Sequence, residues 1–568
     1  MRTIRNGKIL LAIGLSTGVI VWGQGRNGRG TAAGGAAQQQ QAPAQQTAAP
    51  PAAPQAAPAA GRAGRGAAPA PTTSEFYNFD TGASTEPAIP DGPPAETHQK
   101  ISLNGETLAY TAHAGYLPLR NATTGQTEAH IFYTSYAKEG VSDASSRPVV
   151  MFMGGAPGVA SAWQEFGGLG PKRMKWAADG TAGAAPYVWA DNPNTLLGQA
   201  DLVFVNPVGT AFSRPSQPSH GASFWNPAAD VASLAAFVRG YVSTNNRRNS
   251  PLFLAGEDAA TGRAAGVAAW LIEHGTPVQG VALLSMTETA DATAGDAHYI
   301  TLFPSLVMTA WEHKKLSPEM NKMSAEEIAG AARQFASREY LHGLYKGDRI
   351  TPEDRTKLIA AMNRLTGLSK AFLVNNELRI APDRFTAELL REEHRGLSMS
   401  DSRVAGFLTA PAGGGRGGGG GGFGGLIASP IDFNISALQG GFQTAYEDYL
   451  RHELNFTGSE NAIYYLNGGG IGAFTSTGND DQSLAGAFAR EPRLHVFVGV
   501  NFYDLNAPFY ATEFSLAHLN VSPEVRAHNI TVSHYETGEM PYVDSKSAGK
   551  LKNDLSSWIA QTDAPAQK

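Results

Sequence analysis

The chain has 568 residues, no cysteine, a hydrophobic fraction of 42% and a formal net charge of −6. Its length exceeds what one hydrophobic core usually supports and its apolar content is that of a globular protein, so several structural units are expected. The absence of cysteine excludes disulfides, thiolate metal sites and a cysteine nucleophile, and the small acidic charge argues against a nucleic-acid-binding protein.

Residues 1–23 have the pattern of a secretory signal peptide. Arg2, Arg5 and Lys8 form a basic region, and residues 9–22 form an apolar stretch that is short and interrupted for a membrane-spanning helix. The cleavage site is weakly defined, so an uncleaved membrane anchor is the alternative. The sequence predicts an exported protein, periplasmic or extracellular, whose mature chain has no membrane span.

Two stretches lack the periodic apolar pattern of packed structure. Residues 24–96 are rich in Ala, Gln, Gly and Pro and predict a flexible low-complexity linker. Residues 412–425 are nearly all glycine and predict a surface loop. No Lys-Ser or Lys-Thr pair follows these glycines, so they do not form a phosphate-binding P-loop.

From residue 97 onward, short apolar runs alternate with helical patterns such as residues 225–241 and 262–274. The candidate strands are residues 148–153, 201–205, 251–255 and 280–285. This alternation predicts the α/β class, with a mostly parallel central sheet covered by helices on both faces.

The stretch GEDAA, residues 256–260, lies between an apolar strand and a helical pattern. Strand, sharp turn and helix form the setting of the G-x-S-x-G nucleophile elbow of α/β-hydrolases. Gly256 occupies the first glycine position, but Asp258 occupies the serine position and Ala260 the last glycine position. The sequence therefore predicts the scaffold of a serine hydrolase without its serine.

Six segments, in order, resemble the serine carboxypeptidase family, and in particular its bacterial, disulfide-free branch. They are RPVVMFMGGAPG, LGPKR, DNPNTLLGQADLVFVNPVGTAFSR, SPLFLAGEDAATGRAA, VFVGVNFYDLNAPFYATEFSLAHL and ITVSHYETGEMPYVDSKSAGKLKNDL. The resemblance is weakest between residues 287 and 490. It implies an α/β-hydrolase fold whose core comprises residues 97–290 and 491–568, with a largely helical cap or insertion at residues 291–490.

The resemblance also assigns the three triad positions. Asp258 stands where the family has its nucleophilic serine, Glu539 stands where it has histidine, and Asp504 keeps the family's acid. Acyl transfer by a triad needs a hydroxyl nucleophile and a base that takes its proton. We therefore expect a catalytically inactive protein that acts by binding, with no ordinary serine peptidase activity.

The positions that hold substrate in the family are only partly kept. Gly154 replaces the family's asparagine and Gly155 follows it, whereas Glu257 matches the glutamate that shares a proton with a bound C-terminal carboxylate. The backbone N–H groups of Ala156 and Ala259 are the implied oxyanion donors. The predicted ligand is a peptide or small molecule; no cofactor is predicted, and the oligomeric state is left open.

Three other interpretations stay open, although our prediction assigns no metal ligand. In one, Asp258 is a carboxylate nucleophile, as in the dehalogenase branch of the superfamily, and His534 activates water. In another, Glu257, Asp258, Asp504 and Glu539 converge and hold Ca²⁺ or Mg²⁺. In the third, a conventional serine acts elsewhere, the candidates being Ser161, Ser213 and Ser285.

Overall fold

The computed structural model describes residue 89 and residues 92–563, except 156–157, 178–179, 218–220, 222, 287–289, 408–431, 457–463 and 468–479. The predicted signal peptide, all but the end of the predicted linker, the glycine-rich loop and Ala156 therefore lie outside the described residues. None of the helices in the described ranges is both long and apolar enough to cross a membrane.

The strands are β1 (Ala95–Leu103), β2 (Glu106–Arg120), β3 (Thr127–Lys138), β4 (Val149–Phe152), β5 (Lys172–Met174), β6 (Trp189–Asp191), β7 (Asp201–Val205), β8 (Arg214–Pro215), β9 (Leu252–Glu257), β10 (Gly280–Leu284), β11 (Arg395–Leu397), β12 (Ala405–Phe407), β13 (His495–Asn501) and β14 (Ile530–Tyr535). The helices are α1 (Ala162–Gln164), α2 (Pro227–Thr244), α3 (Ala260–Glu273), α4 (Ala290–Thr293), α5 (Asp296–Glu312), α6 (Ala325–Phe335), α7 (Leu341–Lys346), α8 (Pro352–Thr366), α9 (Lys370–Asn375), α10 (Pro382–Glu388), α11 (Phe433–His452), α12 (Asp480–Arg490), α13 (Phe509–His518), α14 (Pro523–Asn529) and α15 (Ser545–Asp563).

The central sheet has the strand order β1-β2-β3-β7-β4-β9-β10-β13-β14, with β8 paired to β3. The strands from β7 to β14 along this order pair in parallel, whereas β1, β2 and β3 pair antiparallel. Strand β9 lies in the middle of the parallel part and all six of its residues are buried. Such continuous apolar runs are typical of parallel strands that are covered on both faces.

Alternate residues of β9 enter two different hydrophobic cores. Leu252 and Leu254 pack in one core with residues of α2, α3 and α5. Phe253 and Ala255 pack in the other, where Trp558 of α15 lies 5.3 Å from the Phe253 ring, centroid to centroid. Because successive side chains of a strand point to opposite faces, the two cores lie on the two sides of the sheet. The predicted α/β class with helices on both faces is confirmed.

The described part of residues 291–490 is largely helical, as predicted. It runs from α5 to α12 and includes only the short strand pair β11–β12. Helix α5 is almost entirely buried and packs against α13, and α12 packs against the elbow helix α3. Both ends of this region therefore pack on core helices, and the exact limits of the cap stay a prediction.

Candidate functional site

Asp258 lies on a sharp turn between the central strand β9 and the buried helix α3. Its φ angle is +52°, in the left-handed region, which aspartate tolerates better than most residues. Its backbone N–H donates to the carbonyl oxygen of Leu284 at 2.9 Å. A Cβ atom on Gly256 would lie 2.1 Å from the carbonyl oxygen of Ala260, so only glycine fits there. This is the geometry of a nucleophile elbow, with a carboxylate at its tip.

Asp504 and Glu539 lie at the same edge of the sheet because they follow β13 and β14, which run parallel to β9. Oδ1 of Asp504 accepts hydrogen bonds from the N–H groups of Asn506 at 2.9 Å and Ala507 at 3.0 Å. Its Oδ2 is buried without a partner. The backbone N–H of Glu539 donates to the carbonyl oxygen of Ser400 at 2.7 Å.

The three carboxyl groups at the triad positions disfavour one another's charge. Burial is the main cause that raises the pKa of each of them. The charge of Asp258 further raises the pKa of Asp504, and the charges of both raise that of Glu539. Carboxyl groups this close hold protons to a higher pH than isolated ones and share them.

Glu257, beside Asp258, is only 3% exposed. Its Oε2 accepts hydrogen bonds from Nε2 of Gln164 and from the hydroxyl of Tyr542, both at 2.7 Å, whereas Oε1 has no partner. Burial raises the pKa of Glu257 to about 8, the two hydrogen bonds oppose that shift, and the charges of Asp258 and Asp504 add to it. Glu257 is therefore protonated over most of the neutral range.

The backbone around the elbow is only partly free to bind a substrate oxygen. The N–H of Ala259 donates to the carboxylate of Asp258 itself. Nη1 of Arg263 donates to the carbonyl oxygen of Gly155 at 2.8 Å, while its Nε is paired with Asp230. Arg263 thus fixes the loop at Gly154, whose φ angle is +75°, and pairs with Asp230 instead of the carboxyl cluster.

Three polar partners of this site were missed by sequence reasoning, namely Gln164, Asn501 and Tyr542, and Ser285 was considered only as an alternative nucleophile. The hydroxyl of Ser285 donates to the carbonyl oxygen of Glu539 at 2.9 Å and accepts a hydrogen bond from Asn501. The Oδ1 atom of Asn501 and the Oε1 atom of Gln164 are buried without partners. Tyr542 and Asn501 had a usable signal, since each lies in a recognised segment three residues from a predicted site residue, Glu539 and Asp504 respectively.

The structure gives no support to a catalytic histidine at the elbow. Nε2 of His534 lies 2.6 Å from Oε1 of Glu513 and 3.1 Å from Nη2 of Arg333, and its ring packs on Phe502. Within the described residues, no imidazole is hydrogen-bonded to any of the three triad-position carboxyls. The contacts of His534 therefore do not support the interpretation of Asp258 as a nucleophile with His534 as its water-activating base.

The structure also gives no support to the alternative-serine and bound-cation interpretations. Ser161 donates to the side chain of Asn206 at 3.1 Å, Ser213 donates to the Asn206 carbonyl oxygen at 2.7 Å, and Ser285 is engaged as described. These serines hold buried loops together. Among the described residues, no three acidic or histidine side chains are arranged to hold a metal ion, so the bound-cation interpretation has no site.

Residues 103–269 match the family model described as serine carboxypeptidase. Over these residues, fewer than a third of the chain, the sequence is similar to the serine carboxypeptidase family. The match takes in the elbow and the loop at Gly154, and it ends before Asp504 and Glu539. Asp258, on the turn between β9 and α3, lies within the matched residues. Among curated proteins, none matches the chain significantly.

Several solved structures are similar to this chain at low identity. A prohormone-processing carboxypeptidase, Kex1Δp from Saccharomyces cerevisiae, is 13% identical, with 79% of this chain and 91% of that chain covered and a TM-score of 0.47. VinJ is 12% identical, with 79% and 98% covered and a TM-score of 0.33. A soluble variant of the monoglyceride lipase of S. cerevisiae is 11% identical, with 84% and 99% covered and a TM-score of 0.30. Similarities at these scores carry no argument about the site.

Proposed function

We propose that this protein is an exported serine carboxypeptidase homologue that binds a peptide or small-molecule ligand and does not cleave peptides by a serine mechanism. The observation that carries the proposal is the elbow itself, where the carboxylate of Asp258 faces Asp504 and Glu539. A carboxylate has no proton to lose and is a weak nucleophile towards amides. Loss of triad members typically lowers the rate by about 10⁴ to 10⁶.

The backbone donor at the elbow supports the same proposal. In acyl transfer, the N–H after the nucleophile stabilises the developing oxyanion. Here the N–H of Ala259 is engaged by the carboxylate of Asp258. A substrate carbonyl would have to displace the Asp258 side chain from that donor, which makes the elbow a poor oxyanion site.

Binding is supported by the unpaired polar atoms that remain. Oε1 of Glu257 is buried without a partner, and a pKa of about 8 keeps this carboxyl protonated at neutral pH. A protonated carboxyl can donate a hydrogen bond to a ligand carboxylate, which is the role that the family resemblance implies for Glu257. On this proposal, Glu257 keeps one element of substrate recognition, while Asp258 and Glu539 replace the catalytic serine and histidine.

A labelling and turnover assay tests the proposed inactivity. The purified protein should remain unlabelled by a fluorophosphonate and should release no amino acid from a hippuryl dipeptide. The double variant Asp258→Ser, Glu539→His should gain weak labelling, because it restores a triad around Asp504. Stoichiometric labelling of a serine in the unmodified protein would overturn the proposal and identify the true nucleophile.

The proposed export rests on residues 1–23 alone. Expression of the full chain followed by cell fractionation and N-terminal sequencing should find it outside the cytoplasm, with the signal either removed or kept as an anchor. Recovery of the intact chain in the cytoplasmic fraction would contradict export without affecting the proposal about the site.

A further inference from the structure

A cavity of about 910 Å³ opens beside the loop that carries Glu539. Thr537 and Met540, which flank Glu539 in the sequence, line this cavity together with residues of β5 and β6. The cavity therefore adjoins the loop of one cluster carboxyl and offers space for a ligand group that does not reach the elbow.

Two cationic side chains on the β5 wall of the cavity have no partner. Arg173 lies in β5, and Lys175 extends the same ladder through its N–H, which donates to the carbonyl oxygen of Val188 at 2.9 Å. Residues two apart in a strand face the same side, so both side chains point to the cavity that they line. Neither side chain makes a hydrogen bond or ion pair within the described ranges. Burial lowers the pKa of Arg173, and no carboxylate acts in the opposite direction.

A third donor on the same wall is also unused. Nε1 of Trp176 is buried and has no hydrogen-bond acceptor. The Trp176 ring is held in place by stacking on Phe442, with the ring centroids 5.8 Å apart and the planes at 6°. An indole nitrogen can only donate, so the partner that it lacks is an acceptor. A buried donor without an acceptor is costly, so an acceptor that reached it would be stabilised.

The carboxylates that line the cavity already have donors of their own. Asp191 accepts from Lys172 at 2.8 Å, Asp401 from Arg403 at 2.6 Å, Asp544 from the N–H of Ser547 at 2.8 Å and Glu312 from the Tyr503 hydroxyl at 3.4 Å. The groups left over on the β5 wall are thus all donors, two of them positively charged.

We propose that Arg173, Lys175 and the indole N–H of Trp176 form a subsite for an oxyanion, either a carboxylate or a phosphate group of the ligand. A guanidinium binds such groups with two parallel N–H donors, and the ammonium and indole add a third and fourth. The subsite goes beyond the proposed function, since it holds whether or not the elbow is catalytically inactive.

Isothermal titration calorimetry of the full-length protein with succinate and, separately, with inorganic phosphate tests this subsite. At least one of the two anions should bind saturably, and Arg173→Gln should weaken binding about tenfold or more. Trp176→Phe keeps the stacked ring and removes only the donor, so it should weaken binding by a smaller factor. The matched control is Arg338→Gln, which removes an exposed arginine that does not line the cavity and should leave the affinity unchanged.

The two anions separate the two sources of the oxyanion. Tighter binding of succinate assigns a carboxylate-bearing ligand, and tighter binding of phosphate assigns a phosphate-bearing one. The proposal is overturned if neither anion binds saturably, or if Arg173→Gln and Trp176→Phe both bind as the control does. Fluorophosphonate labelling of the same samples reports on the elbow separately, so failure of one proposal is distinguishable from failure of the other.

Discussion

Two glutamates in this molecule are buried to a similar extent but differ in how many of their carboxyl oxygens accept hydrogen bonds. Glu165 is 1% exposed, and its two oxygens accept hydrogen bonds from the hydroxyls of Thr134, Tyr136 and Tyr446. Glu257 is 3% exposed, but only its Oε2 accepts hydrogen bonds, and its Oε1 is buried without a partner. Burial raises the pKa of the first to about 7 and of the second to about 8.

The two glutamates differ in how fully the hydrogen-bonding capacity of the buried carboxyl group is used. A fully hydrogen-bonded buried network fixes one packing arrangement, and removal of any member is costly. A buried acceptor without a partner is costly, so a donor that reached it would be stabilised. Satisfaction of hydrogen bonds, rather than burial or pKa, therefore distinguishes the two sites.

Truncation of Glu165 should have the largest effect on stability. Glu165→Ala leaves three buried hydroxyls without their acceptor, so the free energy of unfolding should fall by about 3 kcal/mol or more. Urea denaturation followed by circular dichroism measures it. Glu165→Gln keeps one acceptor and should lose clearly less. A loss below about 1 kcal/mol for the alanine variant would mean that the tyrosine network does not depend on this carboxyl.

The carboxyl cluster should make stability fall with rising pH. A carboxyl whose folded pKa is raised contributes stability that is complete below its unfolded pKa, about 4.5, and is lost as the pH rises through the folded value, about 8 for Glu257. Asp258→Asn removes one of the charges that raise the pKa values of its neighbours. It should flatten the decline in melting temperature between pH 5 and pH 8 and add about 1–2 kcal/mol of stability at pH 8.

The matched control for that experiment is Asp354→Asn. Asp354 is partly exposed and paired with Lys346, which lowers its pKa, so its substitution should leave the decline unflattened. A pH profile that is flat in the unmodified protein, and unchanged by Asp258→Asn, would show that the carboxyls do not interact.

Loss of a single donor to Glu257 should have the smallest effect. Tyr542→Phe removes one of the two hydrogen bonds that favour the ionised form, so the pKa of Glu257 should rise further. Stability should fall by about 0.5–1.5 kcal/mol, and by more at pH 8 than at pH 5. Thermal melts at both pH values measure the difference. The exposed tyrosine in Tyr345→Phe should give no change, and an equal loss in both variants would contradict the assigned role.

The sequence by itself determined the class of fold and the elbow. Apolar runs that alternate with helical patterns, and a Gly256 that leads from strand to helix, are local signals, because strand and helix periods are set by the backbone within a few residues. The same signals placed Asp258 on the turn, whereas Asp504 and Glu539 were predicted as the remaining triad positions only from the order of the resembling segments.

Only the tertiary structure decided which polar groups meet. Gln164 and Tyr542, from distant parts of the chain, both donate hydrogen bonds to one oxygen of Glu257. His534 is hydrogen-bonded to Glu513, and Arg173 has no partner among the described residues. No periodicity encodes these outcomes, because a side chain's partner depends on which strand ends lie side by side and on how the loops between them pack. Whether a buried charge is satisfied is thus a property of the assembled sheet edge, and it is this property that separates the structural carboxyl of Glu165 from the open site at the elbow.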